Sequence, residues 1–382
     1  MPIRDLDINL TDEQKAMRDT IRKFGSEVMR PAGIELDKLD DPSEVIAEGS
    51  VLWDVYRKYR EIGLHKRSIP KALGGMMEDM DIMSSILMAE EMGYWDSGLA
   101  ISFGVDGMPF ALAALSPDPE LQSWARDYVE DTECKMTGCW AITEPDHGTD
   151  WLLRSEATNC SECVPNVRAE LKGDEYILNG QKSAWVSNGT MATHANLHVS
   201  LDPSKGMAGT GLAVVRLDLP GISRGKPLDK IGQRPLNQGE IYFDDVKIPK
   251  NWMIVPDPAL IEGTGEMGLA RVNGGMGITF AGLARAAFDE AFKYSKERVQ
   301  GGRRMALYNA ANPLAPSAPP AVASKVLSTE TAFQVASEAI QIFGGNGLSR
   351  EYPVEKMFRD ARAAMIEDGV NETLSIAATE FM

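Results

Sequence analysis

The character of the chain changes at residues 139–150, which read CWAITEPDHGTD. The apolar run through Ile142 has the composition of a strand, and the proline and glycine that follow are typical of a tight turn. Such a turn presents backbone N–H groups, together with the hydroxyls of Thr143 and Thr149, to a ligand rich in hydrogen-bond acceptors. This stretch therefore predicts a binding turn at the end of a β-strand.

The residues before this turn have helical periodicity. Thr11 and Gln14 have the spacing of a capping box, so we expect a helix from about residue 12 to residue 29, ending before Pro31. Further helices are predicted at residues 50–63 and 81–103, where apolar side chains recur at helical spacing. Residues 1–136 are therefore predicted to form an N-terminal α-helical domain.

The residues after the turn first alternate as strands do and then become helical again. Short β-type runs are separated by Gly, Pro, Asn and Asp turns, and they lie at 135–143, 175–185, 195–201, 211–217 and 239–248. Helical periodicity returns after Pro249, at residues 274–299 and 319–343. We therefore predict a middle β-domain at 137–250, a C-terminal helical bundle domain at 251–382, and an α+β multidomain fold.

The composition argues against several classes of partner. The chain has 382 residues, and its formal charge of -17 disfavours nucleic acid and anionic membranes, which both attract basic surfaces. The sequence shows no secretory signal, and no apolar run approaches the roughly 18 uninterrupted residues of a membrane span. We therefore expect a cytoplasmic protein that has no membrane span.

The four cysteines are too sparse for a disulfide framework. Cys160 and Cys163 have the spacing of half a zinc site, but neither Cys134 and Cys139 nor the four histidines complete it. We expect no metal and interpret the CSEC stretch as a surface loop.

Two further motifs bear on chemistry. Residues 180–190, GQKSAWVSNGT, place Trp185 and Ser187 beside a turn, where a flat aromatic ring and a hydroxyl fit the edge of a heteroatom-rich ring. Residues 341–362, QIFGGNGLSREYPVEKMFRDAR, end a helix at a glycine pair that permits close backbone approach. Taken singly, each motif has an ordinary structural interpretation, as a core aromatic residue or a helix cap.

Together, in this order on an α–β–α plan, the motifs resemble those of the acyl-CoA dehydrogenase family of flavoproteins over nearly the whole chain. The matching stretches are AITEPDHGTD (141–150), NGQKSAWVSNG (179–189), KIGQRPLNQGEIYFDDVKIP (230–249) and the motif at 341–362. The resemblance implies a helical N-terminal domain, a middle β-barrel and a C-terminal four-helix bundle. It also implies that FAD is bound between them and across a subunit interface of a homotetramer.

The resemblance further implies which residues contact FAD. Arg298 resembles an arginine that reaches the FAD diphosphate of a neighbouring subunit, a group that a guanidinium binds in a bidentate manner. Trp185 and Ser187 resemble contacts to the isoalloxazine ring. The remaining candidates are the flavin and pyrophosphate contacts Trp140, Ile142, Thr143 and Thr149, and the adenosine neighbours Gln341, Gly344 and Gly345.

Two stretches depart from the family pattern. After residues 297–302, ERVQGG, roughly one long helix of the family pattern is absent. Because a bundle cannot lose a core helix cheaply, we interpret this as residues missing between Gly302 and Arg303. The family's arginine beside the catalytic carboxylate corresponds to Asn273, with Arg271 two residues earlier, and both are candidate substrate-binding residues.

The catalytic base is predicted in the segment IEDGVNE, residues 366–372. In the family, a glutamate followed by Gly-Thr abstracts the proton alpha to the thioester. Alignment on Gly369, a candidate substrate-binding residue, puts Asp368 at the base position and Val370 at the usual hydroxyl position. Glu367 is the rival if the helix register shifts by one residue. The shorter aspartate either slows proton abstraction or suits a bulkier or differently placed substrate. Related enzymes that act on alicyclic and aromatic-derived CoA thioesters tolerate an aspartate as the base.

The resemblance thus predicts FAD-dependent α,β-dehydrogenation of an acyl-CoA thioester, with a ring-bearing acyl group as the candidate substrate. An electron-transfer flavoprotein is the expected electron acceptor. Two alternatives stay open. One is the same flavoprotein fold with desulfinase, decarboxylase or monooxygenase chemistry, and the other is a catalytically silent binder of CoA thioesters.

Overall fold

The computed structural model describes residues 9–148, 163–258, 272–283, 285–286, 289–290, 299–300, 303–304, 319–365 and 370–372. These residues fall into two compact units. The larger unit contains the described residues up to Leu228 and those from Gln233 to Ala286, and the smaller unit contains Asp229–Gly232 and those after Ala286. The boundaries of the three predicted domains stay a prediction.

The first part of the larger unit is helical, as predicted. Its α-helices are α1 (Asp12–Phe24), α2 (Arg30–Asp37), α3 (Val51–Glu61), α4 (Ile82–Trp95), α5 (Ser97–Asp106), α6 (Met108–Leu115) and α7 (Pro119–Glu130). The predicted capping box is present at the start of α1, where Thr11 and Gln14 exchange hydrogen bonds.

Two predicted helix ends are wrong. The first helix does not end before Pro31, because a π-helical turn, Gly25–Met29, leads directly into α2. Pro31 lies in the first turn of α2, where proline is tolerated best. The predicted helix 81–103 is two helices. Asp96 adopts an extended backbone between them and caps α5 by accepting the Leu99 N–H at 2.8 Å.

The residues Ser97–Leu115 form one stretch that is long and apolar enough to cross a membrane, but 67% of its most apolar window is buried inside the domain. Such burial is typical of the core helices of soluble proteins. Phe103 of α5 is fully buried and stacks on Tyr59 of α3 with ring centroids 4.0 Å apart. This stretch therefore belongs to the apolar core of the helical region.

The middle of the chain forms one eight-stranded sheet. Its strands are β1 (Gly138–Ala141), β2 (Arg168–Lys172), β3 (Glu175–Lys182), β4 (His194–Ser200), β5 (Thr210–Arg216), β6 (Ile222–Arg224), β7 (Ile241–Pro249) and β8 (Met253–Val255). The order is β6-β7-β3-β2-β4-β5-β8, and β1 pairs in parallel with β4. Each of the five predicted β-type runs overlaps a strand, so the β-character of this region is confirmed.

A buried polar cluster fixes the start of β1 against the helices. The carboxylate of Asp106, at the end of α5, accepts the Gly138 N–H at 3.1 Å, the Tyr128 hydroxyl at 2.7 Å and the Arg60 guanidinium at 3.2 Å. Arg60 also donates to the carboxylate of Asp131 at 2.9 Å. These hydrogen bonds hold the start of β1 at a defined position relative to the helices.

The C-terminal part contains helical residues 272–283 in the larger unit and two long helices in the smaller one, α8 (Pro319–Phe343) and α9 (Pro353–Ala364). The bounds of α8 coincide with the predicted run. The remainder of the predicted four-helix bundle falls outside the described residues.

Val299–Gln300 and Arg303–Arg304 pair as two short antiparallel strands, with Gln300 opposite Arg303. The interpretation that residues are missing between Gly302 and Arg303 stays a prediction.

Candidate active site

A buried ion pair fixes the predicted binding turn after β1. The Lys182 ammonium lies 2.6 Å from the Glu144 carboxylate, and neither side chain is accessible to solvent. Lys182 also donates to the carbonyl of Ile142 at 3.1 Å, and the carboxylate of Glu144 accepts the backbone N–H groups of Val167, at 3.1 Å, and Asn166. The turn is consequently attached to β3 and to the start of β2.

Burial lowers the pKa of Lys182 to about 8, although the nearby Glu144 carboxylate opposes this shift. A lysine with this pKa is still mostly protonated at neutral pH. The Lys182 ammonium therefore keeps its role as the donor in these hydrogen bonds at neutral pH.

The side chain of Trp140 is oriented by a histidine on the neighbouring strand. Its indole Nε1–H donates to Nε2 of His198 at 3.1 Å. Since an indole nitrogen only donates, this imidazole nitrogen carries no proton. His198 lies on β4, which pairs in parallel with β1, so the contact follows from the register of the two strands.

The structure brings four predicted flavin contacts together. Ser187 forms single backbone pairs with Trp140 on one side and with Gln238 on the other. The carbonyl of Thr143 accepts the backbone N–H of Ser183 at 2.9 Å, which places the binding turn beside the segment that carries Trp185. Trp140, Thr143, Trp185 and Ser187 therefore lie along adjoining backbone segments, which we call the aromatic edge, and each is partly exposed.

Gln238 was not predicted from the sequence, yet its side chain contacts this edge. Its amide nitrogen donates to the carbonyl of Trp185 and to the hydroxyl of Ser187, each at 3.2 Å. The residue lies within the motif 230–249, but the amide contacts join positions more than fifty apart and have no local sequence signal.

Asn188 anchors the aromatic edge to the helices. Its fully buried amide donates to the carbonyls of Ser102, at 3.0 Å, and Gly138, at 3.1 Å, and to the Tyr56 hydroxyl at 3.3 Å. The hydroxyl of Ser102 donates to the side-chain oxygen Oδ1 of Asn188 at 2.7 Å. Asn188 has a φ of 62°, a left-handed conformation that asparagine tolerates better than most residues. The sequence predicted a turn here, but not this network.

The predicted adenosine neighbours lie in the smaller unit. Gln341 is exposed near the end of α8, and Gly344, with a φ of 56°, begins the short 3-10 turn Gly344–Leu348 that also contains Gly345. A left-handed φ favours glycine at this point. The carbonyl of Leu348 accepts the backbone N–H of Ile231 at 2.6 Å, which fixes the end of the turn within the same unit.

The candidate base Asp368, its rival Glu367 and Gly369 lie outside the described residues, and so do Thr149, Arg271 and Arg298. Both flanks of the base segment are described. The backbone N–H of Asn371 donates to the carbonyl of Met365 at 3.1 Å, and the buried Asn371 amide donates to the Thr329 hydroxyl of α8 at 2.9 Å. Asn273, the remaining candidate, is exposed on the helical residues 272–283.

Within the parts of the chain that the structure describes, no group of three or more His, Cys, Asp or Glu side chains is arranged to hold a metal ion. Cys134 and Cys139 are free thiols there. Cys160 lies outside the described residues.

Three family models match consecutive parts of the chain. The acyl-CoA dehydrogenase N-terminal domain matches residues 11–117, the middle domain matches residues 139–246, and the C-terminal domain matches residues 304–381. The three matches occur in the order of the predicted domains.

Relatives of known name match along almost their full lengths. Cyclohex-1-ene-1-carbonyl-CoA dehydrogenase of Geobacter metallireducens is 28% identical, with 95% of this chain and 96% of the relative covered. A short-chain-specific acyl-CoA dehydrogenase of Clostridium acetobutylicum is also 28% identical, with 96% and 97% covered. Among solved structures, butyryl-CoA dehydrogenase from Megasphaera elsdenii is 26% identical, with a TM-score of 0.65 and with 98% and 99% of the two chains covered.

Proposed function

Because the chain belongs to the acyl-CoA dehydrogenase family, we propose that it catalyses the FAD-dependent α,β-dehydrogenation of an acyl-CoA thioester. The observation that carries this proposal is the aromatic edge, where Trp140, Thr143, Trp185 and Ser187 adjoin one another on a rigid support. Relatives of similar length that are named for this chemistry support the same conclusion.

The donors of the aromatic edge fit a flavin. An isoalloxazine ring presents a row of nitrogen and oxygen acceptors at its edge and two flat faces. A serine hydroxyl complements the acceptors, and indole rings complement the faces. The Ser187 hydroxyl accepts a hydrogen bond from Gln238, so its own proton is left for a second partner. FAD would supply the acceptor for the hydride that leaves the β-carbon of the substrate.

Asp368 is our proposed general base, and Glu367 is the rival. A carboxylate at this position would take the proton alpha to the thioester carbonyl while the β-hydride departs. The hydrogen bonds of Asn371 to Met365 and Thr329 restrain the C-terminal flank of this segment. Gly369, Arg271 and Asn273 are the proposed substrate-binding residues.

We propose a ring-bearing acyl group as the substrate. The shorter carboxylate of Asp368 is the reason, because its oxygens reach less far than those of a glutamate. A relative that acts on cyclohex-1-ene-1-carbonyl-CoA supports this choice, while short-chain-specific relatives make butyryl-CoA the natural comparison substrate.

The proposed assembly is a cytoplasmic homotetramer that passes electrons to an electron-transfer flavoprotein. Val335 and Ile342, on α8, are 62% and 84% exposed in the single chain. They are seven residues apart and so share a helix face, and exposed apolar faces of this kind are typical of subunit interfaces. Arg298 would reach the FAD diphosphate of a neighbouring subunit, and Gln341, Gly344 and Gly345 would lie beside its adenosine.

Anaerobic mixing of the purified holoprotein with a panel of acyl-CoA thioesters tests the proposal. Cyclohexane- and cyclohexene-carbonyl-CoA, butyryl-CoA and a long-chain thioester are compared with free CoA as the control. Rapid bleaching of the flavin by at least one thioester, with formation of its α,β-unsaturated product, is expected. Product without bleaching would point to another reaction of the same fold, and binding without either would point to a silent binder.

A further inference from the structure

The side chain of Gln238 joins the two residues that we assign to the flavin ring. Its Nε2 lies 3.2 Å from the carbonyl oxygen of Trp185 and 3.2 Å from Oγ of Ser187. The backbones of Ser187 and Gln238 are also paired with each other. One amide group therefore spans the segment from Trp185 to Ser187.

The chemistry of the two acceptors fixes the direction of these hydrogen bonds. A backbone carbonyl oxygen only accepts, so the group that faces Trp185 must be the amide nitrogen and not the amide oxygen. The same nitrogen faces Ser187 and donates to it as well. The Ser187 hydroxyl consequently uses a lone pair toward Gln238, and its proton points elsewhere.

The backbone that carries Gln238 is held on both sides. The carbonyl of Asn237 accepts the Asn188 N–H at 2.7 Å, and the carbonyl of Gln238 accepts the Leu228 N–H at 2.9 Å. The Asn237 side chain additionally accepts the backbone N–H of Thr190 at 3.1 Å. With its backbone restrained in this way, the amide of Gln238 is set in one place relative to Ser187.

We propose that Gln238 is a positioning residue that directs the Ser187 hydroxyl proton toward the edge of the bound flavin. This inference rests on the proposed function, because it requires a flavin beside Ser187. Without the amide donor, the hydroxyl rotates among several orientations, and its hydrogen bond to a flavin acceptor is occupied for a smaller fraction of time. Gln238 thereby affects the spectrum, the midpoint potential and the affinity of the flavin through Ser187, without contacting the flavin itself.

A double-mutant cycle on the purified holoprotein tests this inference. The variants are Gln238→Met, Ser187→Ala and the double variant, and the readouts are the absorption spectrum, the midpoint potential and the Kd of FAD. We expect Gln238→Met to shift the spectrum and the potential and to raise the Kd by about tenfold, the scale of one hydrogen bond. In the Ser187→Ala background the same substitution is expected to change the Kd by less than about twofold.

Gln122→Met is the matched control. The amide of Gln122 also donates to a backbone carbonyl, that of Ser116 at 3.1 Å, but it lies on α7 away from the aromatic edge. We expect this variant to leave the flavin spectrum and potential unchanged. If Gln238→Met does not fold, Gln238→Glu replaces it in the cycle, since glutamate keeps the shape and exchanges the donor for an acceptor.

Equal effects of Gln238→Met in the two backgrounds, or no effect on the flavin in either, would overturn this inference while leaving the proposed function intact. A wild-type protein that binds no FAD would overturn both. The role assigned to Gln238 is supported if Gln238→Met changes the Kd of FAD much less in the Ser187→Ala background than in the wild type. Gln122→Met must at the same time leave the flavin spectrum and potential unchanged.

Discussion

The ammonium of Lys182 and the carboxylate of Glu144 are 2.6 Å apart, with both side chains fully buried. The two residues are 38 positions apart in sequence, and between them they join the turn after β1 to β2 and β3. Taking both charges out of water is costly, and their mutual attraction and hydrogen bonds offset that cost only while both are present. The pair therefore makes the binding turn rigid and also makes it vulnerable to loss of either partner.

Removal of one charge should destabilise the protein strongly. We expect Lys182→Met to lower the free energy of unfolding by roughly 3–5 kcal/mol, because it leaves Glu144 buried without its counter-ion. Addition of Glu144→Gln should restore part of this loss. Denaturant unfolding of the apoprotein is the measurement.

Lys172→Met is the matched control for this prediction. Lys172 pairs with Glu170 at 3.0 Å, but both side chains are more than half exposed, and exposed ion pairs contribute roughly 0–1 kcal/mol. Equal unfolding free energies for the Lys182 and Lys172 variants would contradict the account of the buried pair.

Asn188 should be intolerant of a change that keeps its size. In Asn188→Asp a carboxylate oxygen would replace the amide that donates to the carbonyls of Ser102 and Gly138. The new carboxylate oxygen would then face these carbonyl oxygens with no proton between them. This repulsion should lower the unfolding free energy by about 2–4 kcal/mol and weaken FAD binding. Denaturant unfolding and FAD titration measure the two effects.

Asn9→Asp serves as the control for Asn188, since Asn9 has a similar φ of 68° but an exposed side chain. Asn9→Asp should leave the unfolding free energy and the affinity for FAD almost unchanged. A variant at position 188 that behaves like the one at position 9 would show that the network around Asn188 carries little energy.

The stability of the protein should fall on mild acidification because of two buried histidines. Burial lowers the pKa of His65 and that of His194 to about 4. Between about pH 6.5 and pH 4 the unfolded chain binds the protons that the folded state refuses, so the unfolding free energy decreases as the pH falls through this window. Each histidine should account for roughly 2 kcal/mol between pH 7 and pH 5.

The variants His65→Gln and His194→Gln isolate this effect. Each should reduce the loss of stability between pH 7 and pH 5, whatever it does to stability at pH 7. His65 already donates from Nε2 to the carbonyl of Val129. Its buried Nδ1 has no partner among the described residues, so a proton added there would be buried without an acceptor. An unchanged pH dependence in both variants would refute the assignment.

The sequence predicts those features of the fold that depend on local periodicity. The bounds of α8 and the five predicted β-type runs follow from the spacing of apolar residues and from the turn residues between them. The break at Asp96 and the helical continuation through Pro31 were missed. An aspartate inside an apolar run and a proline after a helical run each permit two interpretations, and tertiary packing selects between them.

The residues that support the site could not be predicted from the sequence for a different reason. Asn188 contacts positions 56, 102 and 138, and Gln238 contacts positions 185 and 187. Such contacts are set by the packing of helices on the sheet and leave no pattern within any short window. The direct candidates, in contrast, stand in motifs and could be named by resemblance.

Arg298 should matter for cofactor affinity. We expect Arg298→Ala to weaken FAD binding by roughly 1.5–3 kcal/mol, the scale of hydrogen bonds to a charged group. Fluorescence quenching of FAD on titration of the apoprotein is the measurement. Arg57→Ala is the control, because Arg57 is an exposed residue of α3 that pairs with Asp54. Equal affinity for FAD in the two variants would remove Arg298 from the diphosphate site.

Single-turnover flavin reduction tests most directly whether Asp368 abstracts the alpha proton. Asp368→Asn is nearly isosteric and should retain the fold, FAD and acyl-CoA binding, yet reduce flavin more slowly by about 10²–10⁴-fold, the usual contribution of a general base. Glu367→Gln should be close to the wild type. Single-turnover measurement is needed because product release or electron transfer otherwise limits the rate. Slow reduction in Glu367→Gln alone would make the glutamate the base, and normal reduction in both variants would contradict the account.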